Sequence, residues 1–167
     1  KNSTIKGTNK VGGLIGSVME DKVIITNCGV DNVKIETYDV EDESGLAGGL
    51  IGYIACGENK INESRIEDCF VKNSTFNVIN SRGNNERSNS EFIGGIGGDN
   101  GDTLLINNAT IEENKFNETG AEEYTSPFGK FIGGIRGNFK VYIDGVMVGK
   151  IDKPVVTAAV EGNVVSL

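Results

Sequence analysis

Carboxylates set among glycines, three cysteines and a scatter of asparagines are the side chains in this sequence with chemistry to offer. The tract Gly97-Gly98-Asp99-Asn100-Gly101-Asp102-Thr103-Leu104 is close to the calcium-binding nonapeptide form Gly-Gly-x-Gly-x-Asp-x-apolar-x. Asn100 stands where that form has its middle glycine, and the tract occurs once, whereas such sites are shared between consecutive turns. The expectation is a polar Asx turn after a glycine tract rather than a calcium site at Asp99 and Asp102. Cys28, Cys56 and Cys69 are dispersed, without the Cys-x-x-Cys spacing of a zinc site, and their odd number does not indicate a disulfide framework. The acidic stretch Asp39-Val40-Glu41-Asp42-Glu43 reads as a solvated loop. Glu112-Glu113 and Glu122-Glu123 read the same way, because neighbours on a strand point to opposite faces and do not converge as an acid and a base must. Asn-x-Ser/Thr sequons at Asn2, Asn62, Asn73, Asn108 and Asn117 are read as coincidence in an asparagine-rich chain. No residue is therefore assigned a catalytic, cofactor-binding or metal-binding role, and the chain is not expected to be an enzyme.

The elements that would hold these side chains are set by a repeat. Val11-Gly12-Gly13-Leu14-Ile15-Gly16 returns as Ala47-Gly48-Gly49-Leu50-Ile51-Gly52, as Ile93-Gly94-Gly95-Ile96-Gly97-Gly98 and as Ile132-Gly133-Gly134-Ile135-Arg136-Gly137. Between the glycine tracts lies a second pattern, Ile25-Thr26-Asn27-Cys28-Gly29-Val30, Ile66-Glu67-Asp68-Cys69-Phe70-Val71 and Ile106-Asn107-Asn108-Ala109-Thr110-Ile111. A shortened fourth copy reads Ile143-Asp144-Gly145-Val146-Met147-Val148. Its third residue is Asn, Asp, Asn and Gly, types that tolerate a left-handed backbone and let a chain turn a corner. Seven residues beyond Cys28, Cys69 and Ala109 stand Ile35, Phe76 and Phe116, with Asn32, Asn73 and Asn114 as candidates for a second corner.

Apolar residues at Leu14, Leu50, Ile96 and Ile135 are expected to point inward, and the position after each, Ile15, Ile51, Gly97 and Arg136, outward. Counting on by two places Gly16, Gly52, Gly98 and Gly137 inward, where a missing side chain admits an opposite wall. Cys28, Cys69, Ala109 and Val146 should form an interior ladder. At that position two adjacent cysteines could bridge coils, but small apolar core residues are the preferred reading, and Cys56 has no aligned partner.

A unit of short strands cannot bury its own apolar face, so stacked copies must bury one another's. With 24 Gly, 2 Pro and no helical period, the sequence predicts an all-β parallel β-helix (β-solenoid). It should be right-handed, with about four coils of three to four short strands. One domain is expected over 1–167, with units near 1–10 (partial), 11–46, 47–92, 93–131 and 132–167, the last irregular. Lys1-Asn2-Ser3-Thr4-Ile5 matches Lys72-Asn73-Ser74-Thr75-Phe76, so the chain should open inside a unit of a longer array. Val155–Val160 and Val164–Leu167 read as two strands about a turn. The tracts Ser81–Ser90 and Thr119–Lys130 should be loops, the second a contact candidate through Tyr124 and Phe128. A formal net charge of -8 disfavours nucleic acid and anionic lipid as partners, and no apolar run is long enough to span a membrane as a helix.

The tracts Gly13-Leu14-Ile15-Gly16 and Gly49-Leu50-Ile51-Gly52, each inside a Val/Ala-Gly-Gly-Leu-Ile-Gly core, resemble the GLUG motif of bacterial surface proteins. That motif recurs in the non-catalytic part of immunoglobulin A1-specific zinc metallopeptidases of Gram-positive bacteria and in large adhesins. The third and fourth copies depart from it at Ile96-Gly97 and Ile135-Arg136. The resemblance implies a secreted protein held at the bacterial cell wall, of which this chain is a stalk or an adhesive module for host protein or glycan, joined to flanking domains of the same polypeptide. It carries over no peptidase activity, since a zinc site of that kind needs two His on one helix and the chain has none. The alternative is a carbohydrate-active β-helix fragment, lyase-like or glycosidase-like, with carboxylates gathered on one face.

Overall fold

The computed structural model describes residues 2–19, 22–38, 46–55, 63–79, 92–101, 103–119, 128–129, 131–135, 140–148 and 163–166. The chain is all-β, with short strands and no helix among these residues. Five strands make the first unit: β1 (Ser3–Gly7), β2 (Lys10–Gly12), β3 (Ile15–Met19), β4 (Ile24–Thr26) and β5 (Gly29–Asp31). The second repeats them as β6 (Val33–Tyr38), β7 (Leu46–Gly48), β8 (Ile51–Ala55), β9 (Glu63–Glu67) and β10 (Phe70–Lys72). The third holds β11 (Thr75–Ile79), β12 (Phe92–Gly94), β13 (Gly97–Gly101), β14 (Thr103–Asn107) and β15 (Thr110–Glu112). A fourth begins with β16 (Lys115–Thr119), β17 (Phe128–Gly129), β18 (Ile132–Ile135) and β19 (Val141–Ile143). Two further strands, β20 (Val146–Val148) and β21 (Asn163–Ser166), follow.

Each strand from β1 to β14 pairs in parallel with the strand five places later, and β20 and β21 add antiparallel, giving five small sheets ordered β1-β6-β11-β16-β21, β2-β7-β12-β17, β3-β8-β13-β18, β4-β9-β14-β19-β20 and β5-β10-β15. Five strands per unit exceed the three or four expected, because the glycine pair and each asparagine corner interrupt the chain at separate places. Equivalent side chains therefore stand above one another. Ile35, Phe76 and Phe116 are in register and fully buried, the two rings stacked at 4.6 Å between centroids. Ile25, Ile66 and Ile106 form a second such column, and Val30, Val71 and Ile111 a third. All belong to one apolar cluster, whose burial drives the stacking.

Two corners are made by residues in the left-handed region. Asn27, Asp68 and Asn108 turn one of them with φ of 53°, 53° and 50°. The other falls at Asn2, Asn32, Asn73 and Glu113, with φ of 55°, 56°, 51° and 55°. Asn114 is thus not a corner residue. It follows the corner, points inward and is fully buried, where its carboxamide accepts from Ser74 N at 2.9 Å and donates to Val71 O at 2.8 Å. Ser74, one unit earlier, does similar work, with Oγ accepting from Val33 N at 3.2 Å and donating to Lys72 O at 2.8 Å. These inward polar groups are satisfied by the backbone they tie together.

The glycine pair is itself a bend, between β7 and β8 in the second unit, and this changes the expected alternation. Leu50 and Ile51 are both fully buried, because the strand direction changes between sheets and in/out parity does not carry through. A Cβ on Gly49 would overlap the Gly95 carbonyl oxygen and meet Val71 Cγ2 at 2.6 Å. On Gly52 it would meet Gly16 O and Val11 N, each at 2.6 Å. Close approach is thus required at the pair as well as beyond it.

The fourth glycine tract lies four residues earlier than its Gly-Gly pair suggests. Ile93 pairs with Phe128, Gly94 with Gly129 and Gly97 with Ile132. Phe131 O accepts from the Ile96 and Gly97 amides at 2.8 and 3.0 Å, the part Ile96 O plays for Leu50 and Ile51 at 2.9 and 3.0 Å. The structural copy therefore holds Phe128-Gly129 and Phe131-Ile132, and Ile135, paired with Asn100, is not the partner of Leu50 and Ile96.

Two members of the expected interior ladder are exposed, Cys28 and Val146, while Cys69 is buried and Ala109 half-buried. Leu14 is also exposed, at 48%. Leu14 and Cys28 lie in the first unit, which has a described unit on one side only. Val146 differs for another reason. Asp144 and Gly145, with φ of 48° and 79°, form the two-residue turn of a hairpin, and β20 runs back antiparallel on β19. At the other flank β21 pairs antiparallel with β16. That strand is the second of the two read near the C-terminus, and 155–162 lies outside the described residues.

Candidate functional site

The corner that contains Asn32 and Asn73 creates an extended surface feature that repeats from unit to unit. Left-handed residues throw their side chains to one side of the bend, and the second residue after each points outward on the five-stranded sheet. Asn2, Asn32, Asn73 and Glu113 make one wall. Thr4, Lys34, Thr75 and Lys115, paired in that order, make the other. Between them lie two depressions of about 350 and 340 Å3, which share Asn73 and Thr75 and so form one groove across four units.

The asparagine wall is held by its own ladder. Asn32 Nδ2 donates to Asn2 Oδ1 at 2.7 Å, and Asn73 Nδ2 donates to Asp31 Oδ1 at 2.9 Å. A parallel ladder at the opposite corner joins Asn108 Nδ2 to Asp68 Oδ1 at 2.7 Å and Asn108 N to Asp144 Oδ1 at 2.8 Å. Three sequon asparagines, Asn2, Asn73 and Asn108, are corner residues in these ladders, and Asn117 donates to Asn77 Oδ1 at 2.7 Å on the outer sheet face. The need for a left-handed residue accounts for their placement. Asn62 lies outside the described residues.

Beside the groove, Glu36 gathers a cluster. Lys34 Nζ and Lys6 Nζ both pair with its carboxylate, the latter at 2.6 Å, while Asn77 Nδ2 and Tyr38 OH each donate to it at 3.4 Å. The Glu36 side chain is 5% exposed although it sits on the outward side of the sheet, because these neighbours lie over it. Lys34, followed by Lys6, holds its carboxyl down at about 2, against the burial that alone would raise it, and the same pairing pushes the Lys6 ammonium up. A carboxylate so firmly ionised cannot serve as a general acid near neutral pH.

Among the described residues, those singled out from sequence do not converge on one site. Glu112 pairs with Lys72 at 3.1 Å across units, and Glu113 turns a corner, so both are exposed despite being adjacent. Cys28 and Cys69 stand in aligned positions, with Phe70 N donating to Cys28 O at 3.1 Å, and both are free thiols. Cys69 Sγ donates to Glu67 O at 3.2 Å, and burial pushes its thiol up, which makes it an inert core group. Gly97–Gly101 is strand β13, paired with β8 and β18, rather than an Asx turn. Of the two residues weighed against a calcium form, Asp99 is described in backbone only and Asp102 lies outside the described residues, as do Cys56, 39–45, 81–90 and 120–127. Among the described residues, no three His, Cys, Asp or Glu side chains gather as a metal site would require.

The groove and the Glu36 cluster were absent from the sequence reading. Their signal was present: Asn2-Ser3-Thr4, Asn32-Val33-Lys34, Asn73-Ser74-Thr75 and Glu113-Asn114-Lys115 are one tripeptide in four copies, visible once the corner is placed at its first residue. Comparison of the chain with protein-family models, with curated proteins and with solved structures finds no match.

Proposed function

We propose that this chain is a parallel β-helix acting as a non-catalytic stalk and adhesive module of a bacterial surface protein. The observation that carries the reading is the pairing rule, by which each strand of one unit lies in parallel register on its counterpart in the next. A chain built this way grows along one axis as units are added and repeats the same side faces, which suits a spacer that also presents a surface for host protein or glycan. The right-handed sense follows the general preference of parallel crossovers. Placement at the cell surface rests on the resemblance of Val11–Gly16 and Ala47–Gly52 to the GLUG motif.

The ionised, lysine-bound Glu36 and the separated Glu112 and Glu113 support a binding role over a hydrolytic one. The test is to immobilise the chain and challenge it with host glycoproteins and with pectin, alginate and glycosaminoglycan. Ligand should be retained intact. Release of shortened or unsaturated oligosaccharides would replace this reading with a carbohydrate-active one, and retention of nothing would remove the adhesive part.

A further inference from the structure

The two walls of the groove repeat once per unit, but their charge does not. Along one wall Thr4, Lys34, Thr75 and Lys115 stand in register, so hydroxyl and ammonium alternate at the spacing of adjacent strands, about 4.8 Å. Lys34 and Lys115 are thus about 10 Å apart, two strand spacings. Facing them, Asn32 and Asn73 present carboxamides whose hydrogen-bonding capacity is only partly used in the ladder, and Glu113 lines the same depression as Lys115, so a polymer carboxylate must approach Lys115 from the side away from Glu113. Among the described residues, Thr4 and Thr75 show no side-chain partner and Lys115 shows no ion pair. Lys34 is paired, but Glu36 is shared between Lys34 and Lys6, so the three groups retain one positive charge.

We propose that this groove binds an extended acidic polysaccharide, laid along the stacking direction, that carries a uronic acid at every second sugar. One strand spacing is close to the length a pyranose adds to an extended chain. A carboxylate on alternate sugars would therefore meet Lys34 and then Lys115, with the neutral sugar between them against the Thr75 hydroxyl and the Asn73 carboxamide. A polymer with a charge on every sugar would bring a second carboxylate to Thr75 without a cation. Dense sulfation would also meet the repulsion of a chain whose formal charge is -8. The inference rests on the proposed stacked module, because the alternation exists only if the units are in register.

The test is fluorescence anisotropy with an end-labelled decasaccharide of alternating glucuronic acid and N-acetylglucosamine at low salt. Polygalacturonate and a neutral chitin oligomer serve as competitors. The parent chain should bind it saturably, and both competitors should displace it poorly. Lys34→Gln with Lys115→Gln should weaken binding at least tenfold. Lys115→Gln alone, which breaks no ion pair, should weaken it at least threefold. Arg65→Gln, on a different sheet, should leave it unchanged. Absence of binding by the parent, or unchanged binding by a Lys115→Gln variant with the parent's circular dichroism and melting, would overturn the inference. A parent chain without β circular dichroism would instead overturn the stacked module on which the inference rests.

Discussion

Glu36 and Glu113 are both acidic residues on the outside of the stack, and the structure gives them opposite consequences. Glu36 is held ionised by Lys34 and Lys6, with its carboxyl at about 2 instead of 4.5. A folded-state value below the unfolded one means that the stability this group contributes is complete above pH 4.5 and is lost as pH falls toward 2. Glu36→Gln should therefore lower the melting temperature at pH 6 and flatten its decline between pH 4.5 and 2, as followed by circular dichroism. Glu113 occupies a left-handed corner, φ 55°, where the equivalent residues Asn32 and Asn73 are better suited. Glu113→Asn should raise stability by about 1 kcal/mol in urea titration, the order of the penalty a side chain incurs there. Cys28 and Cys69 show the same dependence on place, one exposed and one buried at equivalent positions of successive units.

At the scale of elements, the reading of the sequence succeeded where residue type has a single physical cause. Asparagine or aspartate between two short strands marks a left-handed corner, and Asn27, Asp68 and Asn108 all lie there. The recurrence of Ile35, Phe76 and Phe116 at one spacing was legible, and the structure buries all three as a column, a place that admits little but large apolar groups. The reading failed where one pattern has two causes. Gly133-Gly134 looked like the bend of the fourth unit, but they lie inside β18, and the strand in register with β12 is Phe128–Gly129. Asn114 looked like a corner and is instead a buried tie, because a carboxamide can satisfy either role. Asp144-Gly145 is the usual signature of a two-residue hairpin, and following the repeat alignment past it placed Val146 inside. The groove was missed because it requires the corner register to be correct in all four units. The Gly49 bend provides a test at this scale. Gly49→Ala places a methyl against the Gly95 carbonyl and should cost about 1–3 kcal/mol by chemical denaturation, as overpacking does.

For the molecule as a whole, stability and surface chemistry follow from one rule, the parallel pairing of each strand with the strand five places later. The rule stacks Phe76 on Phe116 inside and sets Thr75 between Lys34 and Lys115 outside. It changes only in β20 and β21, which pair antiparallel on the flanks of two sheets and occupy edges that would otherwise present free backbone groups. The proposed β-helix, the adhesive role and the polysaccharide groove all depend on that register. Its most direct test is solution NMR on isotopically labelled protein, reading nuclear Overhauser contacts between the strands that carry Ile35 and Phe76. Parallel pairing predicts contacts of Lys34 with Thr75 and of Glu36 with Asn77, with the Phe76 ring touching both Ile35 and Phe116. Contacts of Lys34 with Asn77 and of Glu36 with Thr75 would mean an antiparallel pair, and would contradict the account.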